Sequence, residues 1–273
     1  MNTAFIGGGN MATAILGGLI RSGTPAKNIW VVEPDDAARE RLSTQFHVNV
    51  LPASNQELAA ADLVVWAVKP QVFKEAALSS QAYTRDALHL SVAAGIGSDS
   101  IAQWLATDRV VRAMPNTPAL IGKGMTALFP RKGVSQAERV QISQTMAATG
   151  ELLWVDIESQ LDAVTALSGS GPAYVFYFLE AMVDAGAALG LSREQAYALA
   201  LSTFGGATAL AAQSDESPAV LRQRVTSKGG TTYAAITSME RDQVKEKFMV
   251  AMSAACTRAA HLGVKFGVGE VLC

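Results

Sequence analysis

Two glycine-rich segments in this sequence have the residue types and spacing to bind anions, and the first lies near the amino terminus. It reads Gly7-x-Gly9-x-x-Ala12 and directly follows the apolar run TAFI. The first glycine permits a tight turn, the second lets the backbone approach a pyrophosphate, and the small third residue lets the next helix pack closely. A plain tight turn is the alternative. The position at the start of a β-α-β series favours a dinucleotide site formed by Gly7, Gly8, Gly9, Asn10, Met11 and Ala12.

The second segment, Ser227 to Thr232, reads SKGGTT and precedes the helical pattern YAAITSME. Glycines allow successive backbone N–H groups to point at one anion, and the serine and threonine hydroxyls stand beside them. The start of a helix adds the positive end of its dipole. These features suit a carboxylate. The alternative is an ordinary loop whose Ser and Thr side chains cap the following helix.

Glu33 follows Ala12 by 21 residues and ends the second apolar run, NIWVVE. An acid at this place accepts hydrogen bonds from the ribose hydroxyls of an adenosine and repels a 2′-phosphate, which favours NADH over NADPH. Arg39 and Arg41 follow closely and could instead act as phosphate partners. A solvated acid at the end of a strand is the structural alternative.

The sequence shows no pattern typical of nucleophilic or metal-dependent catalysis. There is no Ser/His/Asp set, no Cys/His pair and no metal-ligand spacing, and His47, His89 and His261 lie far apart. We interpret each histidine as a surface or packing residue and expect no metal site.

The elements that must position these segments differ between the two halves of the chain. In the first half, short apolar runs such as LVVWAV and HLSVA alternate with helical patterns, the first of them from about Asn10 to Ser22. This alternation predicts a parallel, doubly wound sheet. From about Asp156 onward, long Ala-rich helical patterns take over. We therefore predict an α/β protein with a dinucleotide-binding domain over residues 1–157 and an all-helical domain over residues 158–273.

Composition limits the partners. The chain has 273 residues, of which 49% are hydrophobic, and a formal net charge of −2. No basic stretch indicates a nucleic-acid partner. Cys256 and Cys273 form no disulfide framework and indicate a reducing compartment. The amino terminus lacks the basic region of a signal peptide. We expect a cytoplasmic protein.

The most apolar long stretch begins at Ala173 and reads AYVFYFLEAMVDAGAALGL. Glu180 and Asp184 lie four residues apart on one face of this helix, which a membrane span would avoid. Helices that are apolar nearly all round need other helices to cover them. Because about a hundred residues offer too little cover, we expect a partner subunit of the same chain to supply the rest.

Six blocks in order along nearly the whole chain resemble one known family. They are GGGNMATAILGGL, AVKP, SVAAG, RAMPNTP, SGSGPAYVF and TSKGGTT. This sequence is similar to Δ1-pyrroline-5-carboxylate reductases, the last enzymes of proline biosynthesis. The resemblance implies a Rossmann domain that holds NADH or NADPH and a helical domain that forms intertwined homodimers, in some members assembled into decamers. It also implies hydride transfer to the C=N carbon of a five-membered cyclic imine, which gives L-proline.

The resemblance also implies roles for individual residues. Ser227, Gly229, Gly230 and Thr231 would hold the substrate carboxylate, and the Thr232 hydroxyl would lie near the ring nitrogen as the catalytic group. The family often has proline where this chain has Lys228. Glu158 matches a family acid near the substrate, or else is an acid that favours a helix start. Implied cofactor contacts, beyond the glycine segment and Glu33, are Asn55, Ala67, Val68, Lys69, Pro70, Ala93, Ala94 and Asn116. For Asn116 a structural turn next to proline is an equal alternative.

Three competing functions stay open from the sequence. A β-hydroxyacid dehydrogenase would share the two-domain plan, but it needs a lysine on the long helix AYVFYFLEAMVDAG, which has none. Another cyclic imine reductase could use the same loops. A dinucleotide-sensing regulator would have the first domain but no need of the carboxylate loop.

Overall fold

The computed structural model describes residues 1–267 and divides into two compact units. The sheet unit comprises Met1–Ser170 together with the chain from Ala254 onward. The helical unit comprises Gly171–Ser253. The domain boundary after residue 157 stays a prediction.

Among residues 1–267, the sheet unit has the strands β1 Thr3–Ile6, β2 Ile29–Val32, β3 Asn49–Leu51, β4 Leu63–Trp66, β5 Leu88–Ser91, β6 Val110–Met114, β7 Gly124–Pro130 and β8 Gly150–Trp154. They form one eight-stranded sheet with the order β3-β2-β1-β4-β5-β6-β7-β8. Neighbouring strands run parallel except for β6 and β7, which are antiparallel.

Helices cover both faces of this sheet, because successive residues of a strand point to opposite sides. Phe5 belongs to one buried apolar cluster, while Ala4 and Ile6 belong to the other. The helices are α1 Asn10–Arg21, α2 Asp36–Phe46, α3 Pro70–Thr84, α4 Ser98–Leu105, α5 Gln136–Met146 and α6 Gln160–Val164, which continues as a π-helical turn over Thr165–Gly169. The predicted doubly wound α/β fold is confirmed.

Two strands and one strand direction were not predicted. The sequence analysis named no strand between the block RAMPNTP and Asp156, yet β7 and β8 lie there and extend the sheet. The sheet is parallel as predicted except at β7, which runs antiparallel to β6. Only residues 115–123 connect β6 to β7, and a parallel crossover needs a dozen residues or more. The longer connection from β7 to β8 contains α5, and these two strands are parallel.

The helical unit contains α7 Gly171–Ala188, α8 Arg193–Ala212, α9 Pro218–Arg224, α10 Thr231–Arg241 and the first ten residues of α11 Val244–Phe266. Phe248 packs edge-on against Tyr174 and Phe178. Large apolar side chains of α7 and the following loop face outward, with Tyr177 69% and Leu189 85% exposed. A single chain therefore leaves much apolar surface of this unit uncovered.

Two further sequence expectations can be placed in the structure. Among residues 1–267, no helix is both long enough and apolar enough to cross a membrane. Cys256 is a half-buried free thiol. Cys273 lies outside the described residues.

His89 is the buried histidine of β5, and its Nδ1 accepts a hydrogen bond of 3.0 Å from Trp66 Nε1. Burial, reinforced by the charge of Arg109 and partly offset by a backbone hydrogen bond with Thr84, lowers the pKa of His89 to about 4. The unfolded chain therefore takes up a proton before the folded chain does, so stability is complete above the ordinary pKa of His and falls as the pH drops below it.

We expect this residue to lower the free energy of unfolding by about 3 kcal/mol between pH 7 and pH 4. Denaturant titrations of the unchanged protein and of His89→Gln at several pH values measure the effect. The variant should lose stability less steeply over this range, since it lacks the titrating ring. Parallel pH profiles for the two proteins would contradict the prediction.

Candidate active site

The glycine segment forms the turn between β1 and α1. Gly7 is buried, has a φ of +97°, and donates its N–H to the carbonyl of Val32 at 2.8 Å. A Cβ on Gly7 would lie 2.8 Å from the carbonyl oxygen of Ala67. Gly9 is the N-cap of α1, is exposed, and has no neighbouring atom within 4 Å of an added Cβ. The fold itself therefore requires glycine at position 7, whereas the space beside Gly9 is open to a ligand.

Gly8 is held more tightly than its place between the two motif glycines suggested. Its N–H donates to Glu33 Oε2 at 2.8 Å, and an added Cβ would lie 2.5 Å from Leu42 Cδ1. Glu33 Oε1 accepts a second bond from the N–H of Asp35 at 3.1 Å. The structure thus brings Glu33, at the carboxyl end of β2, against the glycine turn. Arg39 lies close by and donates to the Glu33 carbonyl oxygen.

A cavity of about 440 Å³ opens beside this turn, at the carboxyl ends of β1, β2 and β3. It is largely apolar, and its walls include Ile6, Gly7, Val32, Pro52, Ser54 and Val68. Asn55 is not part of the wall. Its side chain accepts a hydrogen bond from the N–H of Glu57 and caps a short 3₁₀ helix. An apolar cavity next to the glycine turn has the character of a site for a flat ring such as adenine.

The turns after β4 and β5 carry the other predicted cofactor residues of the sheet edge. The backbone N–H of Ala67 donates to the carbonyl oxygen of Ile6 at 2.8 Å, and Val68 lines the cavity. Lys69 is exposed and precedes Pro70, the first residue of α3. Ala93 is buried and Ala94 half-buried in the turn that follows β5. Both turns leave the carboxyl ends of parallel strands, where open α/β sheets bind ligands.

The side-chain amide of Asn116 forms hydrogen bonds with other residues of the sheet unit. Its Nδ2 donates to the Ser168 hydroxyl at 3.1 Å and, more weakly, to the Ser168 carbonyl at 3.3 Å. Its Oδ1 accepts from the N–H of Met125 at 2.9 Å. These bonds favour the structural alternative for Asn116, and its contact with a cofactor stays a prediction.

Glu158 lies in the sheet unit and faces the amino terminus of α4. It accepts hydrogen bonds from the Ser98 N–H and hydroxyl, each at 2.6 Å, and forms an ion pair with Arg112 at 2.7 Å. It lines a second cavity of about 610 Å³ together with Gly95, Arg112 and Asp162. Burial raises the pKa of Asp162. The charge of Arg112 partly offsets this effect, and the charge of Glu158 adds to it. Whether Glu158 binds substrate stays a prediction.

The loop over residues 227–230 and the start of α10 lie in the helical unit and are largely exposed. Gly229 has a φ of +79°, and Gly230 is the N-cap of α10 with no side chain capping the helix. The first N–H groups of a helix have no partner within it. Thr231 and Thr232 are the first two residues of α10, so the helix begins two residues earlier than the sequence indicated. The start of α10 therefore presents backbone N–H groups that have no partner within the helix, as an anion site requires, whereas the Gly230 N–H donates to the Ser227 carbonyl at 3.0 Å.

Glu216 is a candidate functional residue that the sequence analysis did not single out. Its Oε1 pairs with Arg224 at 2.5 Å, while Oε2 is buried and has no hydrogen-bond partner among residues 1–267. A buried carboxylate oxygen without a partner is costly unless something binds it. Its position directly before the helix-start residues Ser217 and Pro218 was the only signal in the sequence. No cluster of three or more His, Cys, Asp or Glu side chains suited to a metal ion occurs in the same described range.

Comparison with known proteins shows which family the chain resembles over nearly its whole length. Residues 158–262 match the model for pyrroline-5-carboxylate reductase dimerisation, and residues 2–95 match that for NADP oxidoreductase, coenzyme F420-dependent. A pyrroline-5-carboxylate reductase of Pseudomonas aeruginosa is 44% identical over 97% of both chains. The chain belongs to the pyrroline-5-carboxylate reductase family. Another reductase of this family, from Arabidopsis thaliana, is 37% identical over 94% of both chains.

Solved structures of the reductase family have the same fold. The structure from Coxiella burnetii matches with a TM-score of 0.89 and 38% identity, and covers 96% of this chain and 98% of its own. The Plasmodium falciparum structure, described with NADP bound, matches with a TM-score of 0.85 and 29% identity over the same shares.

The residues of the sheet unit fit the dinucleotide that the reductase family uses. Gly9 leaves open space at the uncapped amino terminus of α1, which suits a pyrophosphate. The apolar cavity beside Gly7 suits the adenine. Glu33 lies against the same turn through its bond with the Gly8 N–H, and its carboxylate can accept hydrogen bonds from ribose hydroxyls. The donor set and the available space therefore agree with NADH or NADPH.

We expect Glu33→Ser to raise the ratio of kcat/KM for NADPH to kcat/KM for NADH by about tenfold, because a carboxylate repels the 2′-phosphate. Initial rates with each cofactor measure this ratio. The change also removes a bond to the Gly8 N–H, so both affinities can fall, and the ratio is the informative quantity. Glu40→Ser, which removes an exposed acid of α2, serves as the matched control. An unchanged ratio in Glu33→Ser would exclude this acid from cofactor discrimination.

Proposed function

We propose that this protein reduces Δ1-pyrroline-5-carboxylate to L-proline with NADH or NADPH, the final step of proline biosynthesis. The observation that carries the proposal is the exposed, glycine-containing loop over residues 227–230 at the uncapped start of α10, in a chain that also has a glycine turn before the uncapped start of α1. Relatives that cover nearly the whole chain bear the name of this activity. No feature of the described residues favours a dehydrogenase or a sensor, and α7 contains no lysine.

The reaction needs a hydride at the C=N carbon and a proton at the nitrogen. Bound NAD(P)H supplies the hydride. An iminium carbon is a better electrophile than that of a neutral imine, so a hydrogen-bond donor near the nitrogen favours the reaction. The protein's main tasks are then to orient the substrate, to hold its carboxylate and to exclude other geometries.

The loop residues divide these tasks between them. Ser227, Gly229, Gly230 and Thr231 surround the carboxylate. Hydroxyls and the backbone N–H groups at the amino terminus of α10 hold it, while the Gly230 N–H keeps its bond to the Ser227 carbonyl. The positive φ of Gly229 and the uncapped start of the helix support this assignment. The Thr232 hydroxyl, one residue further, donates to the ring nitrogen. Lys228 adds a positive charge beside the anion where the family often has proline.

The sheet unit holds the cofactor. Gly9, Asn10 and Met11 surround the pyrophosphate at the start of α1, with Gly7, Gly8 and Ala12 shaping the turn. Glu33 binds the adenosine ribose, and the segment over residues 67–70 covers the ribose and the pyrophosphate. The backbone at Ala93 and Ala94 lies along the nicotinamide. Asn55 stands near the adenine, and Asn116 shapes the adjoining loop.

Homo-oligomerisation follows from the match of residues 158–262 to a dimerisation model and from the uncovered apolar side chains of the helical unit. We extend this to a homodimer that assembles into a decamer in the cytoplasm. Light scattering of the purified protein distinguishes a dimer from a decamer by mass. A monomer at micromolar concentration would reject the dimer.

A substrate comparison tests the proposed function at the feature that carries it. The protein should turn over pyrroline-5-carboxylate with a kcat/KM about 100-fold above that for 1-pyrroline, which has the same ring without the carboxylate. Equal kcat/KM values would show that the loop does not recognise a carboxylate and would favour a different cyclic imine reductase.

A further inference from the structure

Helix α4 receives its N-terminal cap from a residue that is distant in the sequence, Glu158. The N-cap of α4 is Gly97, which offers no side-chain hydrogen bond. Glu158, sixty residues later, accepts bonds from both the N–H and the hydroxyl of Ser98, the first residue of α4. Bonds from a helix amino terminus to a carboxylate are charge-assisted and strong. Glu158 therefore fixes the point at which the chain enters α4.

Arg112 fixes Glu158 in turn. Its guanidinium donates to Glu158 Oε1 at 2.7 Å, and its side chain is only 11% exposed. In the sheet, Arg112 on β6 is the direct neighbour of Ser91, the last residue of β5. The turn over residues 92–97 joins Ser91 to Ser98. Arg112 therefore lies beside the residue that precedes this turn, because Ser91 is its partner in the sheet. It also fixes the other end of the turn, because it binds Glu158, which in turn binds Ser98.

The turn is confined on a further side by α11. Gly95 has a φ of +72°, and an added Cβ would lie 2.9 Å from Leu262 Cβ. The Ser98 hydroxyl, besides donating to Glu158, accepts a bond from Arg131 at 3.1 Å. A six-residue turn held at both ends and packed against a helix has little freedom to move. This turn carries Ala93 and Ala94.

We propose that Glu158, held by Arg112, is a positioning residue for the nicotinamide of the cofactor. By fixing the turn over residues 92–97, the pair keeps the backbone at Ala93 and Ala94 in place as the surface on which the nicotinamide ring lies. Glu158 then acts through the turn rather than by touching the substrate. This inference rests on one part of the proposed function, the assignment of Ala93 and Ala94 to the nicotinamide.

The test compares the cofactor with a fragment that lacks the nicotinamide. Binding of NADPH and of 2′-phospho-ADP-ribose is measured by calorimetry for the unchanged protein and for Glu158→Ala, or NADH and ADP-ribose if that pair binds more tightly. We expect the Kd of the whole cofactor to rise about tenfold and that of the fragment to stay within about twofold, because only the nicotinamide loses its surface. Arg112→Lys should give a smaller shift of the same kind.

Glu138→Ala is the matched control. Glu138 also caps a helix, α5, through its bonds with Ser135, and it also pairs with an arginine, Arg109, at 2.6 Å. It should lower the melting temperature and leave both Kd values unchanged. If Glu158→Ala does not fold, Glu158→Gln keeps the size, removes the charge and is measured in the same way.

Three results would overturn the proposal. They are equal weakening of cofactor and fragment, no weakening of either, and the same selective loss in Glu138→Ala. Because these are binding measurements made without substrate, a failure of the unchanged protein to reduce pyrroline-5-carboxylate would reject the proposed function and leave this test readable.

Discussion

We expect Thr232→Ala to lower kcat by about 100-fold while the Kd for NAD(P)H stays within about twofold of that of the unchanged protein. Thr232 is the second residue of α10, beside the uncapped amino terminus that would hold the carboxylate. A hydroxyl that donates to the ring nitrogen matters most as charge develops there, so its loss should appear in kcat more than in KM. Steady-state kinetics and a cofactor titration measure both quantities.

Two variants of the same helix serve as controls for this prediction. Thr232→Ser keeps the hydroxyl and should retain most of the activity. Thr237→Ala removes an exposed threonine from the middle of α10 and should change neither kcat nor cofactor binding. Undiminished turnover in Thr232→Ala would remove Thr232 from the mechanism, and an equal loss in Thr237→Ala would attribute the effect to the helix.

The second large effect is a difference between two glycines of the same turn, Gly9 and Gly7, in what their replacement by alanine impairs. Gly9→Ala should raise the Kd for NAD(P)H by more than about tenfold while changing the free energy of unfolding by about 0.5 kcal/mol or less, since its Cβ meets only the space intended for the pyrophosphate. Gly7→Ala should instead destabilise the fold by about 2 kcal/mol or more, because Gly7 has a positive φ and lies against the backbone of Ala67.

Denaturant unfolding and cofactor titration of both variants measure this separation. Arg21→Ala, at the far end of α1, is the control that should leave cofactor affinity unchanged. If Gly9→Ala bound the cofactor normally, the pyrophosphate could not lie at the start of α1.

The sequence predicted the fold well where local patterns carry the information. Apolar runs such as LVVW are buried on both faces of the sheet, and the glycine turn lies between a strand and a helix as its spacing indicated. β7 and β8 were missed because their pairing is not local. β8 alternates half-buried and exposed residues, and β7 reverses direction because its connection to β6 is short.

The site shows the same division between local and distant information. The loop over residues 227–232 was evident from its glycines and hydroxyls alone. The contacts of Glu158 were not, because Ser98 and Arg112 lie 60 and 46 residues away along the chain. Asn116 was left with two alternatives because its partners, Met125 and Ser168, depend on the packing of the sheet unit. Glu216 had no motif, and its buried oxygen is visible only in three dimensions.

The central claim is that this chain transfers a hydride from NAD(P)H to pyrroline-5-carboxylate. The most direct measurement adds that substrate to the purified protein with NADPH and, in parallel, with NADH, and follows both cofactor absorbance and L-proline formation. The account predicts that at least one cofactor is oxidised in equal molar amount to the L-proline formed. No oxidation of either cofactor, or oxidation without L-proline, would contradict it.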